Sequence, residues 1–330
     1  MRILVTGGCG FIGSNFIRYI LSRHPDYSVI NMDKLTYAGR LENLKDIMND
    51  KRYKFLKGDI CIPEDVNKAV KDIDMIVNFA AETHVDRSIV SPEAFLKVDV
   101  VGTFRLLEAA RHRNATKFVQ ISTDEVYGDI AFGKSTEKDV LNPSNPYSAS
   151  KASGELITRS FWKTYGLNVN IARSSNNFGP YQYPEKLIPK LILRGLLNEP
   201  LPLYGDGLQV RNWLYVYDNC SALDLVLQNN FPGEIFNVGG NEEITNLDVA
   251  QMILSFLGKK QGVKFVGDRP GHDRRYRLDN SKLCSLGWAP RYQFKEALIE
   301  TIKWYLTNKW WWEILTNDEF FKRDDPFKTG

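Results

Sequence analysis

Residues 2–14 read "RILVTGGCGFIGS". The first five are short, largely apolar and β-branched, which suits a buried strand. Three glycines follow at once, and an amphipathic segment, "FIGSNFIRYILSRH", follows them. Gly8, Gly10 and Gly13 satisfy G-x-G-x-x-G, and Gly7, Gly10 and Gly13 satisfy the looser G-x-x-G-x-x-G. Glycines at these positions allow a tight turn, and they let backbone N–H groups meet a pyrophosphate at the helix N-terminus. Taken alone the spacing is weak, but between a strand and a helix it has the context it requires. The next strand-like run, "SVINMD", ends at Asp33, about 20 positions after Gly13. A carboxylate there accepts hydrogen bonds from ribose hydroxyls and repels a 2′-phosphate, so the expected cofactor is NAD and not NADP. Asp59, closing "YKFLKGD", is expected near the adenine.

The same strand–helix rhythm continues. "YKFLKGD", "DMIVNFAA", "KFVQIST" and "NVNIARSS" read as strands, with helical patterns such as "PEDVNKAVKDI" and "SASKASGELITRSFWKTYG" between them. Alternation of this kind predicts an α/β chain with a Rossmann-type, doubly wound parallel sheet. Past residue 175 Pro, Gly and Tyr accumulate, so loops are expected to dominate a smaller α/β substrate domain. The expected division is 1–175 for the NAD-binding domain and 176–330, mainly, for the nucleotide-sugar domain. Segments from roughly 210–240 are expected to return to the first, because "WLYVYDNCSALDLVLQNN" and "EIFNVGG" again look like strand and helix pieces.

Bulk properties exclude several classes. A 330-residue chain with 43% hydrophobic and 25% charged residues has an ordinary globular balance. A net charge of +3 is too small to argue for nucleic acid as a partner. No apolar run approaches the ~18 residues of a membrane span. The N-terminus leads directly into a strand, so no signal peptide is expected. Cys9, Cys61, Cys220 and Cys284 are scattered, which suits reduced thiols in a cytoplasm, and neither they nor the four histidines show metal-ligand spacing.

"YSASK" sets Tyr147 and Lys151 four apart, on one face of a helix. A phenol titrates near ~10, so a nearby ammonium and a positive nicotinamide ring are needed to make it a base at neutral pH. The spacing is common: about one such pair arises by chance in a chain of this composition. Tyr53 and Lys57 form a second, but they lie in a strand, where four residues span ~13 Å.

"STDEVYGD" carries two adjacent acids, Asp124 and Glu125, where a strand stops. One reading is a capping box, with Ser122 as N-cap and Glu125 reaching back. The other places the acids at the carboxyl end of the sheet, where ligands bind in such folds. Neighbours on a flat strand face opposite ways, so the acids share a site only if the backbone turns there.

"TGGCGFIGSN", "NFAAETHVDRSI", "STDEVYGD", "PYSASK", "NNFGPYQYPEKLIP", "LPLYGDGLQVRNWLYV" and "DRPGHDRRYRLD" together resemble the dTDP-glucose 4,6-dehydratases of the extended short-chain dehydrogenase/reductase family. "STDEVYGD" and "DRPGHDRRY" are the discriminating motifs. Cys9 stands where relatives often have alanine, and Val98 where they often have threonine. The resemblance implies that Tyr147, oriented by Lys151, takes the proton from the sugar O4, with Thr123 hydrogen-bonded to O4. Ionised Glu125 takes the C5 proton and protonated Asp124 gives one to the departing C6 hydroxyl. It implies NAD contacts at Phe11, Ile12, Lys34, Thr36, Ile60, Ala80, Ala81, Thr83, Val98 and Asn177, beside the glycines, Asp33 and Asp59. It also implies substrate contacts at Thr83, Asn176, Lys186, Leu187, Pro202, Leu203, Tyr204, Arg211, Asn246, Asp268, Arg269, His272 and Tyr276. Asn246 has a rival role as a helix cap in "TNLD". His84 is expected to be structural. The tryptophans Trp304 and Trp310 to Trp312 are expected to pack the C-terminal helix. A homodimer, a dTDP-glucose partner and a place in deoxysugar synthesis of the dTDP-rhamnose kind complete the implication.

Three alternatives remain open at this stage. Another nucleotide sugar such as UDP-glucose could be the substrate, since no physical feature of the sequence separates thymidine from uridine. A C4 epimerase would not need the acid pair. An NAD-binding regulatory protein would be expected to lack a catalytic group.

Overall fold

The computed structural model describes residues 1–324. The last six positions of the expected second domain, 325–330, lie outside the described residues. Seven strands form the central sheet: β1 (Arg2–Thr6), β2 (Ser28–Asp33), β3 (Tyr53–Lys57), β4 (Met75–Asn78), β5 (Lys117–Thr123), β6 (Val169–Ser174) and β7 (Ile235–Val238). Their order is β7-β6-β5-β4-β1-β2-β3, and every pairing is parallel. All residues of β4, β5, β6 and β7 are buried. Helices cover both faces of a parallel sheet, so its strands read as unbroken runs without a polar face. The chain leaves β1 for β2 on one side and reaches β4 on the other. That reversal opens a crevice at the carboxyl ends of the strands.

Seven helices matter for the site: α1 (Phe11–Arg23), α2 (Thr103–His112), α3 (Pro146–Tyr165), α4 (Leu187–Leu196), α5 (Val216–Gln228), α6 (Asn246–Leu257) and α7 (Phe294–Thr307). Phe16, Ile17 and Ile20 of α1 and Leu223 and Val226 of α5 pack with Ile3, Val5 and Val119 on one sheet face. Leu106 and Leu107 of α2 and Phe161 of α3 pack with Leu4, Ile76 and Phe118 on the other. The segments around 210–240 supply α5 and β7, which join this sheet.

Beyond β6 the structure is more helical than the loop-rich expectation. Ile188, Leu191 and Ile192 lie at helical spacing in α4 and are fully buried with Ile253 of α6 and Ile302 of α7. The prolines and glycines that suggested loops lie mostly between helices. Trp311 and Trp312 are buried in this second core as expected, whereas Trp310 is half exposed. All four cysteines are free thiols.

Local sequence explains where the site's two main carriers begin. At the start of α3, Asn145 caps the helix: its side chain accepts from the Ser148 N–H, and Ser148 answers the Asn145 backbone. Pro146 at the first helical position fixes φ before Tyr147. β5 ends at Thr123 and turns at once into a single 3₁₀ turn, Asp124–Tyr127. Gly128 closes that turn at φ 74°, where an added Cβ would lie 2.2 Å from the Asn142 carbonyl oxygen.

Candidate active site

A cavity of about 290 Å³ opens at the carboxyl ends of the strands. It runs from the glycine loop, past Asp33 and Asp59, to Tyr147, Glu125 and Lys186. Every residue expected to contact the cofactor, from Gly7 to Asn177, lines it. At the loop the backbone is packed too closely for side chains. A Cβ at Gly7 would meet the Ala80 nitrogen at 2.6 Å, and one at Gly13 the Gly7 oxygen at 2.5 Å. Gly10 is the N-cap of α1 and offers no side-chain acceptor to the helix's first turn. Those N–H groups and the helix dipole are suited to a pyrophosphate. Asp33 accepts from the Cys9 N–H at 2.9 Å and the Leu35 N–H at 2.8 Å. Asp59 pairs with Lys34 at 2.8 Å. Anion-binding backbone at one end and a fixed carboxylate at the next strand fit a dinucleotide with unmodified ribose.

Tyr147 and Lys151 are buried one helical turn apart on α3 and both line the cavity. Burial pushes the Tyr147 phenol well above 10, the Glu125 and Asp99 charges push it further, and a hydrogen bond with Thr123 pulls back. The sequence-based expectation that the ammonium lowers this phenol is therefore not met by Lys151 alone. Burial also lowers Lys151 itself, against the opposing pull of Asp99 and Glu155. Tyr53 and Lys57 lie along β3, and the Tyr53 hydroxyl accepts from Asn31 at 2.9 Å. They form no site.

The backbone does turn at the two acids. The capping-box reading fails in detail: the N-cap is Thr123 and not Ser122, and its hydroxyl accepts from the Glu125 N–H at 3.3 Å. Thr123 also donates to Asp124 Oδ1 at 3.2 Å. Asp124 is 2% and Glu125 8% exposed. Each keeps one buried oxygen, Asp124 Oδ2 and Glu125 Oε2, without a hydrogen-bond partner. Their surroundings differ. Burial and the neighbouring Glu125 charge raise Asp124 to about 8, against a smaller pull from Arg211. Burial also raises Glu125, but Arg269, Arg211 and Lys186 all draw it back. At neutral pH Asp124 holds a proton, and Glu125 is the acid that three cations favour in ionised form.

The expected substrate residues divide. Thr83, Asn176 and Lys186 line the cavity, and the Lys186 ammonium donates to the Thr83 carbonyl. Arg211, Arg269, His272, Tyr276, Tyr204, Asn246 and Asp268 lie outside that lining. They gather around Asp86, Asp273 and Gln209 instead. Arg269 meets Asp86 at 3.3 Å and leaves its buried Nε without a partner. Tyr204 donates to Asp86 at 2.8 Å. Arg211 is buried, donates to the carbonyls of Val210, Arg274 and Asp273, and stacks on Tyr276 at 4.5 Å. Tyr276 donates to Asp273. His272 contacts Asp268 at 2.6 Å and is lowered to about 4, mainly by burial, so it is neutral. Asn246 does not cap α6. Thr245 does, and Asn246 Oδ1 is buried without a partner. Leu187 opens α4. The Leu203 side chain belongs to the second core and Pro202 is buried beside it. Arg274 is a surface ion pair with Asp206, and Arg275 pairs with Glu243.

Residues 4–301 match the family described as GDP-mannose 4,6 dehydratase. The chain belongs to that family. It is 50% identical over 307 residues to the low-salt glycan biosynthesis protein Agl12 of Haloferax volcanii, covering 93% of this chain and 99% of the relative. It is 47% identical to the dTDP-glucose 4,6-dehydratase of Streptomyces niveus, covering 97% of both. A solved structure of a DesIV double mutant, a dTDP-glucose 4,6-dehydratase of Streptomyces venezuelae with NAD bound, superposes with a TM-score of 0.93. Its identity is 44%, over 96% of this chain and all of the other.

Within this dehydratase framework the sequence reading missed several charged residues. Glu82 and Glu185 line the cavity. Glu185 accepts from Tyr37 at 2.7 Å and Arg87 at 2.8 Å. Asp86 anchors Arg269, and buried Asp99 accepts from Ser150 at 2.6 Å beside Lys151. Glu82, Asp86 and Glu185 lie inside the quoted motifs "NFAAETHVDRSI" and "NNFGPYQYPEKLIP" but were given no role there, and only the charge in the otherwise apolar stretch "LKVDVVG" could have flagged Asp99. His84 is buried and held well below its usual range, chiefly by burial, as suits a structural residue.

Proposed function

We propose that this chain dehydrates dTDP-glucose to dTDP-4-keto-6-deoxyglucose as a hydro-lyase with tightly held NAD. The observation that carries the reading is the pair Asp124 and Glu125: buried together, each with an unpaired oxygen, Asp124 raised by burial and by the Glu125 charge, and Glu125 raised by burial but faced by three cations that favour its ionised form. Separated pKa values in one site are what acid and base roles require.

The glycine loop, Asp33 and Asp59 hold the cofactor, and Thr83, Asn176 and Asn177 flank the sugar side. When bound there, NAD would supply a hydride acceptor for C4, a hydride donor for C6 and a positive nicotinamide charge that favours the Tyr147 phenolate. Tyr147 takes the O4 proton as C4 is oxidised, and Thr123 holds O4. The resulting C4 ketone acidifies the C5 proton, which Glu125 removes. Hydroxide is a poor leaving group, so Asp124 donates its proton and the C6 oxygen departs as water. Glu125 then returns a proton to C5. The hydride from C4 goes back to C6 and the proton from C5 back to C5, so redox balance is zero; the O4 proton and the C6 hydroxyl make up the one water lost, and passing the proton held by Tyr147 to Asp124 resets the site. Lys186, Arg211 and Arg269 supply positive charge toward Glu125 and the diphosphate. An epimerase removes and restores only the C4 hydrogen, and nothing in that reaction uses Asp124.

Residues 1–175, with 210–240, serve as the cofactor domain in this reading, and the remainder as the sugar-nucleotide domain. The protein works in the cytoplasm as a homodimer and feeds synthesis of 6-deoxysugars such as dTDP-rhamnose. Phe104 of α2 and Leu156 and Tyr165 of α3, all exposed, support a second copy packing there. No helix among the described residues is long and apolar enough to cross a membrane. The test is mass spectrometry of dTDP-glucose incubated with the protein in heavy water without added reductant. A product one water lighter that carries one deuterium at C5 is expected. Unchanged dTDP-glucose beside converted UDP-glucose would move the reading to another nucleotide sugar. Unchanged mass with inversion at C4 would make the chain an epimerase.

A further inference from the structure

The largest buried charge outside the cavity is Arg173 on β6, 1% exposed. Its Nε donates to both oxygens of Glu155 at 3.0 Å, and one terminal nitrogen reaches Glu155 Oε2 at 2.6 Å. Glu155 is fully buried on α3. The other terminal nitrogen donates to the Tyr127 hydroxyl at 2.7 Å, and the guanidinium lies 4.6 Å from the Tyr127 ring centre. That hydroxyl in turn donates to Asn237 Oδ1 on β7 at 2.8 Å. None of the four residues lines the cavity. A charge this deeply buried is costly unless it is fully paired, and a hydrophobic substitute of similar volume is often at least as stable. Stability alone is therefore a weak reason for its presence.

Its placement offers a better reason. Tyr147, Lys151 and Glu155 recur every four residues, so the base, its lysine and the Arg173 partner share one stripe of α3. Tyr127 is the last residue of the 3₁₀ turn that holds Asp124 and Glu125. On the sheet, Arg173 is in register with Ser122 of β5 and Asn237 of β7. One guanidinium thus fastens the base-bearing helix to the acid-bearing turn, and its fork geometry fixes direction as well as distance.

We propose that Glu155, Arg173 and Tyr127 form a positioning unit that sets the separation between the base on α3 and the acids on the 3₁₀ turn. By doing so it governs how much of the oxidised sugar proceeds to water loss. This rests on the dehydration proposed above. The Tyr127 hydroxyl holds the turn and not the helix. Its removal should leave oxidation by Tyr147 intact and misplace Asp124 and Glu125, where displacements of about 1 Å are felt strongly.

The test is Tyr127→Phe in the full chain with its cofactor and dTDP-glucose. Quenched mixtures are analysed by mass spectrometry for the 4-keto sugar, two hydrogens lighter than substrate, and for the dehydrated product, one water lighter. The expected result is a drop in kcat of about tenfold with KM unchanged, and a several-fold rise in the 4-keto fraction. Wild-type partition, or an equal fall in both species, would overturn the proposal. Should Tyr127→Phe fail to fold, Asn237→Ser removes the hydroxyl's acceptor and is judged by the same partition. Absence of water loss in the wild-type protein would instead sink the dehydratase reading, so the two failures are distinguishable.

Discussion

The carboxylates at the two ends of the cavity are treated in opposite ways. Asp33, at the cofactor end, has both oxygens occupied by backbone N–H groups, from Cys9 and Leu35. Asp59 is held by Lys34 and the Cys61 N–H. Asp124 and Glu125, at the sugar end, each leave an oxygen buried and unpaired. Fixed carboxylates serve recognition, because an acceptor that cannot move binds the same hydroxyl every time. Unpaired carboxylates in a dry site are unstable in charge, and that instability is what proton transfer uses. In the proposed reaction the fully paired carboxylates would bind the cofactor and the unpaired ones would move protons.

The comparison breaks most directly at Glu125. Glu125→Gln should lower water loss by about 10³-fold, within the range of general-base contributions, while C4 oxidation and cofactor retention persist. Single-turnover analysis of the sugar species checks this. Asp124→Asn should lower water loss by about 10²-fold and leave C4 oxidation in place. It also sharpens the comparison in stability. The folded state holds the Asp124 proton up to about 8, whereas the unfolded chain releases it near the ordinary carboxyl value of 3.8. Stability contributed by this group is therefore full at low pH and falls as pH rises through that window. Above about 8 the Asn variant should be the more stable by about 1–3 kcal/mol, measured by thermal or denaturant unfolding. The same proton predicts that kcat/KM for wild-type dehydration declines on its alkaline side near 8.

At the cofactor end the expected effects are on binding. Gly13→Ala puts a methyl 2.5 Å from the Gly7 oxygen, and NAD affinity by calorimetry should fall about tenfold or more, a cost of about 1.4 kcal/mol per decade. The smallest effect belongs to the spurious pair. Tyr53→Phe should cost about 1 kcal/mol through the lost Asn31 hydrogen bond and leave turnover unchanged.

The two ends also differ in how far the sequence revealed them. The cofactor end is local: strand, glycines, helix and Asp33 fall within 33 residues, so periodicity and turn chemistry suffice. The α3 pair was legible because helix spacing is fixed, and the same rule dismissed Tyr53 and Lys57. The sugar end is assembled from distant pieces. Lys186, Arg211 and Arg269 favour the charged form of Glu125 against its burial, and no local pattern relates those positions to it. Asp86, Asp99 and Glu185 were missed for the same reason: each acts through a partner remote in sequence. The second core was misjudged because proline-rich junctions obscured the helical spacing inside α4, α6 and α7.

The central claim is that Asp124 carries the proton and Glu125 the charge. It is tested by isotope-edited infrared difference spectra of the carboxyl bands, wild type against Asp124→Asn and Glu125→Gln, across a pH series. The account predicts a protonated Asp124 band at neutral pH that disappears near 8, with Glu125 ionised throughout that range. An Asp124 that is already ionised at neutral pH while Glu125 holds the proton would contradict it.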